Sequence, residues 1–226
     1  MNRVVNSIPG INYEFNDPQL LREALTHKSV GPLNYERLEF LGDSILGLVV
    51  STRLFERHPE ASEGDLSRMR ARLVRGKTLA GIAQQLNLGK QVSLGQGEMK
   101  SGGFRRLSIL ADALEALLGA IYLDSDFETC GTVIRQLIDP LIDELPAAES
   151  LKDPKTRLQE WLQARARPLP IYDLVLEEGA DHAKLFHVIC RLEDGDTVER
   201  ASGNSRRSAE QAAATKMLEM LTTTEK

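Results

Sequence analysis

Hydrophobic residues recur every three to four positions through the first two thirds of the chain, and past residue 150 the rhythm changes to strict alternation. That change constrains the fold most, because a 3.6-residue repeat buries one stripe of a helix and a two-residue repeat buries one face of a strand. Helical patterning covers about 18–29, 35–57, 62–75, 77–86, 106–123 and 127–144, with Pro and Gly between the runs. Two prolines and small polar residues in LPAAESLKDPK (145–155) then interrupt it. Asp153 followed by Pro154 marks a new helix start, a capping side chain with proline at the first helical position. LFHVICRL (185–192) alternates, placing Phe186, Val188, Cys190 and Leu192 on one face and His187 and Arg191 on the other. IYDLVLEE (171–178) is its expected partner, DG at 194–195 a hairpin turn, TVERA (197–201) a third strand and SRRSAEQAAATKMLEML (205–221) a closing helix. The expected fold is an α-helical N-terminal domain over 1–146, a linker over 147–153 and a small α+β module of α-β-β-β-α order over 154–224.

Within the helical part, YERLEFLGDSIL (35–46) carries Glu36, Glu39 and Asp43 at offsets of three and four. On a helix they fall within roughly 60° of one another, where like charges repel. Leu38, Leu41, Ile45, Leu48 and Val49 make the predicted core stripe opposite, and Phe40 falls on the acidic side. LADALEALLGAIYLD (110–124) repeats the design: Asp112 and Glu115 share a face with Ala116 and Gly119, while Leu114, Leu117, Leu118 and Ile121 point away. Apart from Arg37, Arg105 and Arg106 at the margins, no base neutralises either stripe, and small residues beside the acids leave room for something to approach. Two readings are open from spacing alone. The stripes are solvated helix faces, or the helices pack side by side and gather hard oxygen ligands suited to Mg²⁺, which could activate water for phosphodiester hydrolysis.

At 226 residues and 42% hydrophobic content the chain can bury a sizeable core. No apolar run reaches the ~18 residues that span a bilayer, and MNRVVNSIPGINYEF lacks the apolar stretch of a secretory signal, so a cytoplasmic protein is expected. Cys130 and Cys190 have no CxxC or Cys/His companions and read as buried reduced thiols. His27 and His58 read as structural or surface residues. A net charge of −5 would argue against nucleic acid, yet bases concentrate locally in SRMRARLVRGK (67–77), FRR (104–106) and NSRR (204–207).

ERLEFLGDSIL resembles the signature stretch of the ribonuclease III family, and GEMKSGGFRRLSILADALEALLGAIYLD resembles that family's second acidic helix with its preceding loop. The C-terminal third resembles the double-stranded RNA-binding domain of the bacterial members, so the likeness covers roughly residues 5–222. It implies that Glu39, Asp43, Asp112 and Glu115 hold catalytic Mg²⁺, with Mn²⁺ a possible substitute. Asp43 and Glu115 are the pair most tied to the chemistry, and Glu36 and Glu63 are supporting acids in the same valley. It further implies a homodimer formed through the nuclease domain. Phe40 supports this independently, since a lone aromatic on the acidic face has no intrachain reason to be there; a dimer contact is the preferred account of it and a local surface cover the other. The reaction would be hydrolysis of both strands of duplex RNA by a metal-activated water, leaving 5′-phosphates, 3′-hydroxyls and short 3′ overhangs. Ribosomal RNA precursors and structured messenger RNAs are the substrates the family processes.

In the C-terminal module the resemblance points to Gln159, Glu160 and Gln163 for 2′-hydroxyl contacts, to His182 and Lys184 in the loop between the first two strands, and to Ser205, Arg206 and Arg207 at the last helix start. The chemistry agrees, since a duplex reader must use 2′-hydroxyls and phosphates rather than base edges. Two departures stand out: Ala201 occupies the first glycine of the usual Gly-x-Gly, and EGADHAK lacks the proline often found after its glycine. With 12 Lys/Arg against 13 Asp/Glu over 152–226, modest, salt-sensitive affinity is expected. The alternatives are an inactive factor that binds duplex RNA and a helical metal enzyme acting on diphosphates.

Overall fold

Capping side chains set where several helices begin. In the computed structural model, which describes residues 6–146, 152–180, 183–195 and 197–224, α1 (Pro18–Ala24) starts where the Asp17 carboxylate accepts from Gln19 N. It is shorter than the periodicity predicts. The chain leaves the helix at Thr26 to form an isolated parallel bridge with Ser93, and those hydrogen bonds (His27 N to Ser93 O, 3.0 Å; Ser93 N to Leu25 O, 2.7 Å) take the place of a further turn. α2 (Glu36–Arg57) follows, then α3 (Glu63–Leu73), capped by Ser62, and α4 (Gly76–Gln85). A short α5 (Gln96–Lys100) and 3-10 turns at Leu88–Lys90 and Gly103–Arg105 are too brief to leave a period in the sequence. α6 (Leu107–Asp124) and α7 (Phe127–Asp143), the latter capped by Asp126, complete the unit Met1–Ala148.

α6 is the centre of this unit. From Ile109 to Ile121 only Asp112 and Glu115 escape full burial, the mark of a helix surrounded on most sides. α2 lies directly on it, backbone against backbone. A Cβ on Gly42 would sit 1.8 Å from Glu115 O, and one on Gly119 would sit 2.2 Å from Leu38 O. The glycines are therefore spacers that let the two helices meet, and the room that Gly119 leaves is filled by α2 itself. The core stripe of α2 also differs from the predicted one. Leu38, Ile45 and Val49 are buried together with Leu46, Val50 and Leu54, but Leu41 is half-buried and Leu48 is 56% exposed. α3 and α7 as well as α6 contact α2, and this turns the buried arc toward Leu46 and Val50. Leu48 instead joins Phe40 (78% exposed) and Phe55 (71%) within about 80° of arc on the outer side of α2.

The second unit, Glu149–Lys226, is an antiparallel sheet with helices on one face. Of the expected linker, residues 147–151 lie outside the described residues, and Asp153 is already a cap, accepting from Lys155 N at the start of α8 (Pro154–Gln163). β1 (Ile171–Glu178), β2 (Leu185–Arg191) and β3 (Val198–Gly203) pair in sequence order, with Tyr172 opposite Cys190 and Val188 opposite Ala201. Val188 and Cys190 face inward as their alternation requires. Cys190 joins Leu158, Leu162, Ala213, Ala214 and Met217 in a core closed by α9 (Arg206–Thr224). His187 and Arg191 lie on the outer face, bonded to Glu178 and Ser202 and to Asp173 respectively. A bulge between Leu174 and Leu176 breaks the alternation of β1 and leaves Leu174, Val175 and Leu176 exposed.

Both cysteines are free and buried, and burial pushes the Cys130 thiol up to about 12. Among the described residues no helix is long and apolar enough to cross a membrane.

Candidate active site

The glycine crossing of α2 and α6 decides which acids meet. One carboxylate oxygen each from Glu39, Asp112 and Glu115 lie within 4.8 Å of one another, all three side chains half-buried. Burial, first, and then the charges of Asp43, Glu39 and Asp112 together raise the Glu115 carboxyl to about 8. Burial also raises Glu39 and Asp112 above the usual carboxylate range. The cluster is thus crowded with negative charge, which Lys28, on the side of Glu39 and Asp112, offsets only in part.

The other acids singled out by the sequence sit differently. Asp43 is exposed one turn beyond Glu39, close enough for its charge to act on Glu115 but outside the three-way contact. Glu36 is exposed and pairs with Lys28 at 3.1 Å. Glu63 is not gathered with the cluster. It lies on α3, accepts from Ser67 Oγ at 2.7 Å and lines a cavity with Thr52, Phe55 and Arg70. Sequence spacing could not have separated these cases, because it fixes the face of a helix and not what that face meets.

One group near the site escaped sequence reasoning. Tyr35, 2% exposed, points its hydroxyl at Asp112 Oδ2, 3.4 Å away. Burial and the neighbouring acids hold that phenol above its ordinary range, so it remains a donor. The ring packs edge-on to His27, centroids 5.6 Å apart. His27 is itself 7% exposed with Nδ1 2.8 Å from Ser29 Oγ, in keeping with a structural histidine. At the start of a helical run Tyr35 reads as an ordinary aromatic, and no local pattern marks it.

Three half-buried carboxylates converging without an intervening base fit a small divalent cation, which prefers hard oxygen and keeps several waters. Glu39, Asp112 and Glu115 could hold it, with Asp43 at the rim.

In the C-terminal unit, Gln159, Glu160 and Gln163 are exposed on α8, with Glu160 paired to Lys152 at 2.6 Å. Lys184 reaches Glu177 at 2.7 Å. Arg206 and Arg207 are exposed at the start of α9, held loosely by Glu210 (2.9 Å) and Asp153 (3.4 Å). Ser205 caps that helix, its Oγ accepting from Ser208 N at 3.1 Å. His182 lies outside the described residues. Ala201, in the place of the usual glycine, packs against the core, whereas a Cβ on Gly203 would come within 2.3 Å of Ser208 Oγ and 2.6 Å of Ala209 N. The second glycine of that motif carries the steric requirement.

Residues 17–141 match the family model described as Ribonuclease-III-like, and residues 154–221 match that of the double-stranded RNA binding motif. The chain belongs to the ribonuclease III family. A curated relative named Ribonuclease 3 from Idiomarina loihiensis is 53% identical over 211 residues, covering 93% of this chain and 92% of its own. Another, from Vibrio cholerae, is 50% identical over 222 residues, covering 98% and 97%. Among solved structures, the nuclease domain of ribonuclease III from Campylobacter jejuni aligns with a TM-score of 0.56 at 50% identity, over 57% of this chain and 90% of that one; that work concerns flexibility in the region involved in dimer formation. The chain is accordingly a ribonuclease III family endoribonuclease that acts on double-stranded RNA, and the family is metal-dependent. Relatives of this identity along nearly the whole chain set aside an inactive RNA-binding factor, and the RNA-binding motif sets aside a diphosphate enzyme.

Proposed function

We propose that the protein hydrolyses both strands of duplex RNA with Mg²⁺ held by Glu39, Asp43, Asp112 and Glu115, leaving 5′-phosphates, 3′-hydroxyls and short 3′ overhangs. The convergence of Glu39, Asp112 and Glu115 carries this reading. Bound there, Mg²⁺ (or Mn²⁺ in its place) would supply a Lewis acid that acidifies water and screens the phosphodiester charge. The protein's own part is to gather these carboxylates and fix their positions. α2 and α6 do so through a backbone contact that neither helix can slide along, since each glycine faces the other helix's main chain. Asp43 and Glu115 are the acids nearest the chemistry, Glu36 a rim acid, and Glu63 a supporting acid that no single protomer brings to the cluster.

Two staggered cuts require two such sites, so the nuclease unit, residues 1–146, works as a homodimer. The outer stripe of α2, Phe40, Leu48 and Phe55, is the apolar surface that favours this. Residues 147–153 link it to the RNA-binding unit over 154–224. There Gln159, Glu160, Gln163, His182, Lys184, Ser205, Arg206 and Arg207 would meet 2′-hydroxyls and phosphates. Ribosomal RNA precursors and structured messenger RNAs in the cytoplasm are the proposed substrates.

End-labelled duplex RNA incubated with the protein in Mg²⁺ and in EDTA tests the whole reading. Mg²⁺-dependent staggered cuts with 5′-phosphate ends are expected, from a species sedimenting at twice the 25.1 kDa chain mass. Cleavage that survives EDTA would remove the metal from the reaction.

Arg206→Ala with Arg207→Ala is expected to weaken binding of duplexes of any sequence by on the order of tenfold, and to flatten the plot of log affinity against log salt by about two units. Their ion pairs are exposed, so little stability is lost with them. Loss confined to one sequence, measured by filter binding across a salt series, would mean base readout instead.

A further inference from the structure

We infer that Tyr35 is a positioning residue for the metal site: its buried hydroxyl donates to Asp112 Oδ2 and so fixes which oxygen of that carboxylate is offered to the divalent ion. The inference rests on the reading of Glu39, Asp112 and Glu115 as metal ligands, and extends it to a residue outside the acidic set.

Geometry is the first support. The Tyr35 phenol is 2% exposed, and Asp112 Oδ2, at 3.4 Å, is its hydrogen-bond acceptor. A buried hydroxyl without an acceptor costs about 1–3 kcal/mol, which ties this one to that carboxylate. The second support is the rigidity of the ring. Tyr35 stands immediately before α2, its backbone N–H donates to Thr26 O at 2.9 Å, and its ring packs in a T-shaped contact with buried His27. The phenol therefore cannot follow the carboxylate; the carboxylate must orient to the phenol. The third is the neighbourhood of Asp112. Lys28, whose charge reaches Asp112 and Glu39, is exposed and already paired with Glu36, and His27, whose charge also reaches Asp112, has Nδ1 engaged by Ser29 Oγ. Tyr35 is thus the neutral donor that orients Asp112 without competing for the ion by charge. Outer partners of metal ligands act in this way, and losing one typically costs ~10–100-fold in metal affinity.

Tyr35→Phe removes the hydroxyl and keeps the ring. Titration of the full-length protein with Mn²⁺, following the free-ion electron paramagnetic resonance signal, is expected to show affinity weakened about tenfold, with the metal-free protein still folded. In an Asp112→Asn background the same substitution is expected to add nothing, because the oxygen it orients is already altered. Unchanged Mn²⁺ affinity in Tyr35→Phe overturns the inference, and so does an equal loss in both backgrounds, which would mark a general packing role. A measurement on the unaltered chain covers the case in which Tyr35→Phe does not fold. With tyrosine labelled at Cζ, one of the four resonances, assigned to Tyr35, shifts on adding Mg²⁺; a Tyr35 signal that ignores the ion overturns the inference. If the unaltered protein binds no Mn²⁺, the metal-site reading itself has failed. If it binds Mn²⁺ and Tyr35→Phe binds equally well, only the role of Tyr35 has failed.

Discussion

Glu115→Gln is expected to abolish cleavage of duplex RNA while leaving the fold and RNA binding intact. Gln keeps the shape of the side chain and removes only the charge, and Glu115 sits where the charges of Asp43, Glu39 and Asp112 all converge. Removing an outer partner of a metal ligand costs ~10–100-fold, so loss of a direct ligand's charge should exceed that. Single-turnover cleavage at saturating RNA measures it, and activity within a few-fold of the unaltered enzyme would take Glu115 out of the site.

The same substitution has an opposite, measurable effect on stability. Burial and its neighbours hold the folded-state Glu115 carboxyl at about 8, from an ordinary 4.5. A carboxyl raised on folding contributes stability that is complete below its unfolded value and is lost as pH climbs to its folded value. Metal-free protein is therefore expected to melt at lower temperature as pH rises from about 4.5 to 8, with Glu39 and Asp112 adding in the same direction. Mg²⁺ should restore the loss, most at the alkaline end, and Glu115→Gln should flatten the profile by removing its largest contributor. A melting temperature in EDTA that rises across this range would contradict the charge crowding described above.

Gly42→Ala should be the most damaging single methyl group in the nuclease unit. Alanine is favoured over glycine in a helix interior by roughly 0.8–1 kcal/mol, so the intrinsic term is stabilising. Against it stands a Cβ placed 1.8 Å from Glu115 O and 2.6 Å from the carbonyl carbon, both main-chain atoms of a buried helix that cannot rotate aside. Overpacking of this kind costs ~1–3 kcal/mol and more when backbone must move, so the net effect is loss of stability. The only relief is to separate α2 from α6. That withdraws Glu39 from Asp112 and Glu115, so cleavage should fall further than stability alone would predict. Gly81→Ala in α4 is the control: nothing lies within 4 Å of the added Cβ, and the helix should gain roughly 0.8–1 kcal/mol. Urea denaturation of both variants, with cleavage assayed well below the midpoint, decides it; equal stability of the two would mean that the helix contact yields easily.

The sequence by itself determined the class of the long helices and of the strands, but not the short α5 or the 3-10 turns. The period of three to four placed the long helices, because helical side chains repeat on that interval whatever they pack against. Alternation placed β2, with Val188 and Cys190 inside and His187 and Arg191 outside, because a strand has only two faces. The two acidic stripes that contain Glu39, Asp112 and Glu115 were legible as stripes, while spacing left open whether they face water or each other. What only the tertiary structure decided is which of those acids meet and what surrounds them. Asp43 stands at the rim, Glu63 is on another element, and Leu48 is exposed where the periodicity would bury it. Tyr35 touches Asp112 across 77 positions of sequence. Periodicity records the angle of a residue around its own helix axis. The crossing of α2 on α6, set by two glycines pressed against main-chain oxygens, fixes distances between helices, and no repeat within either helix encodes it.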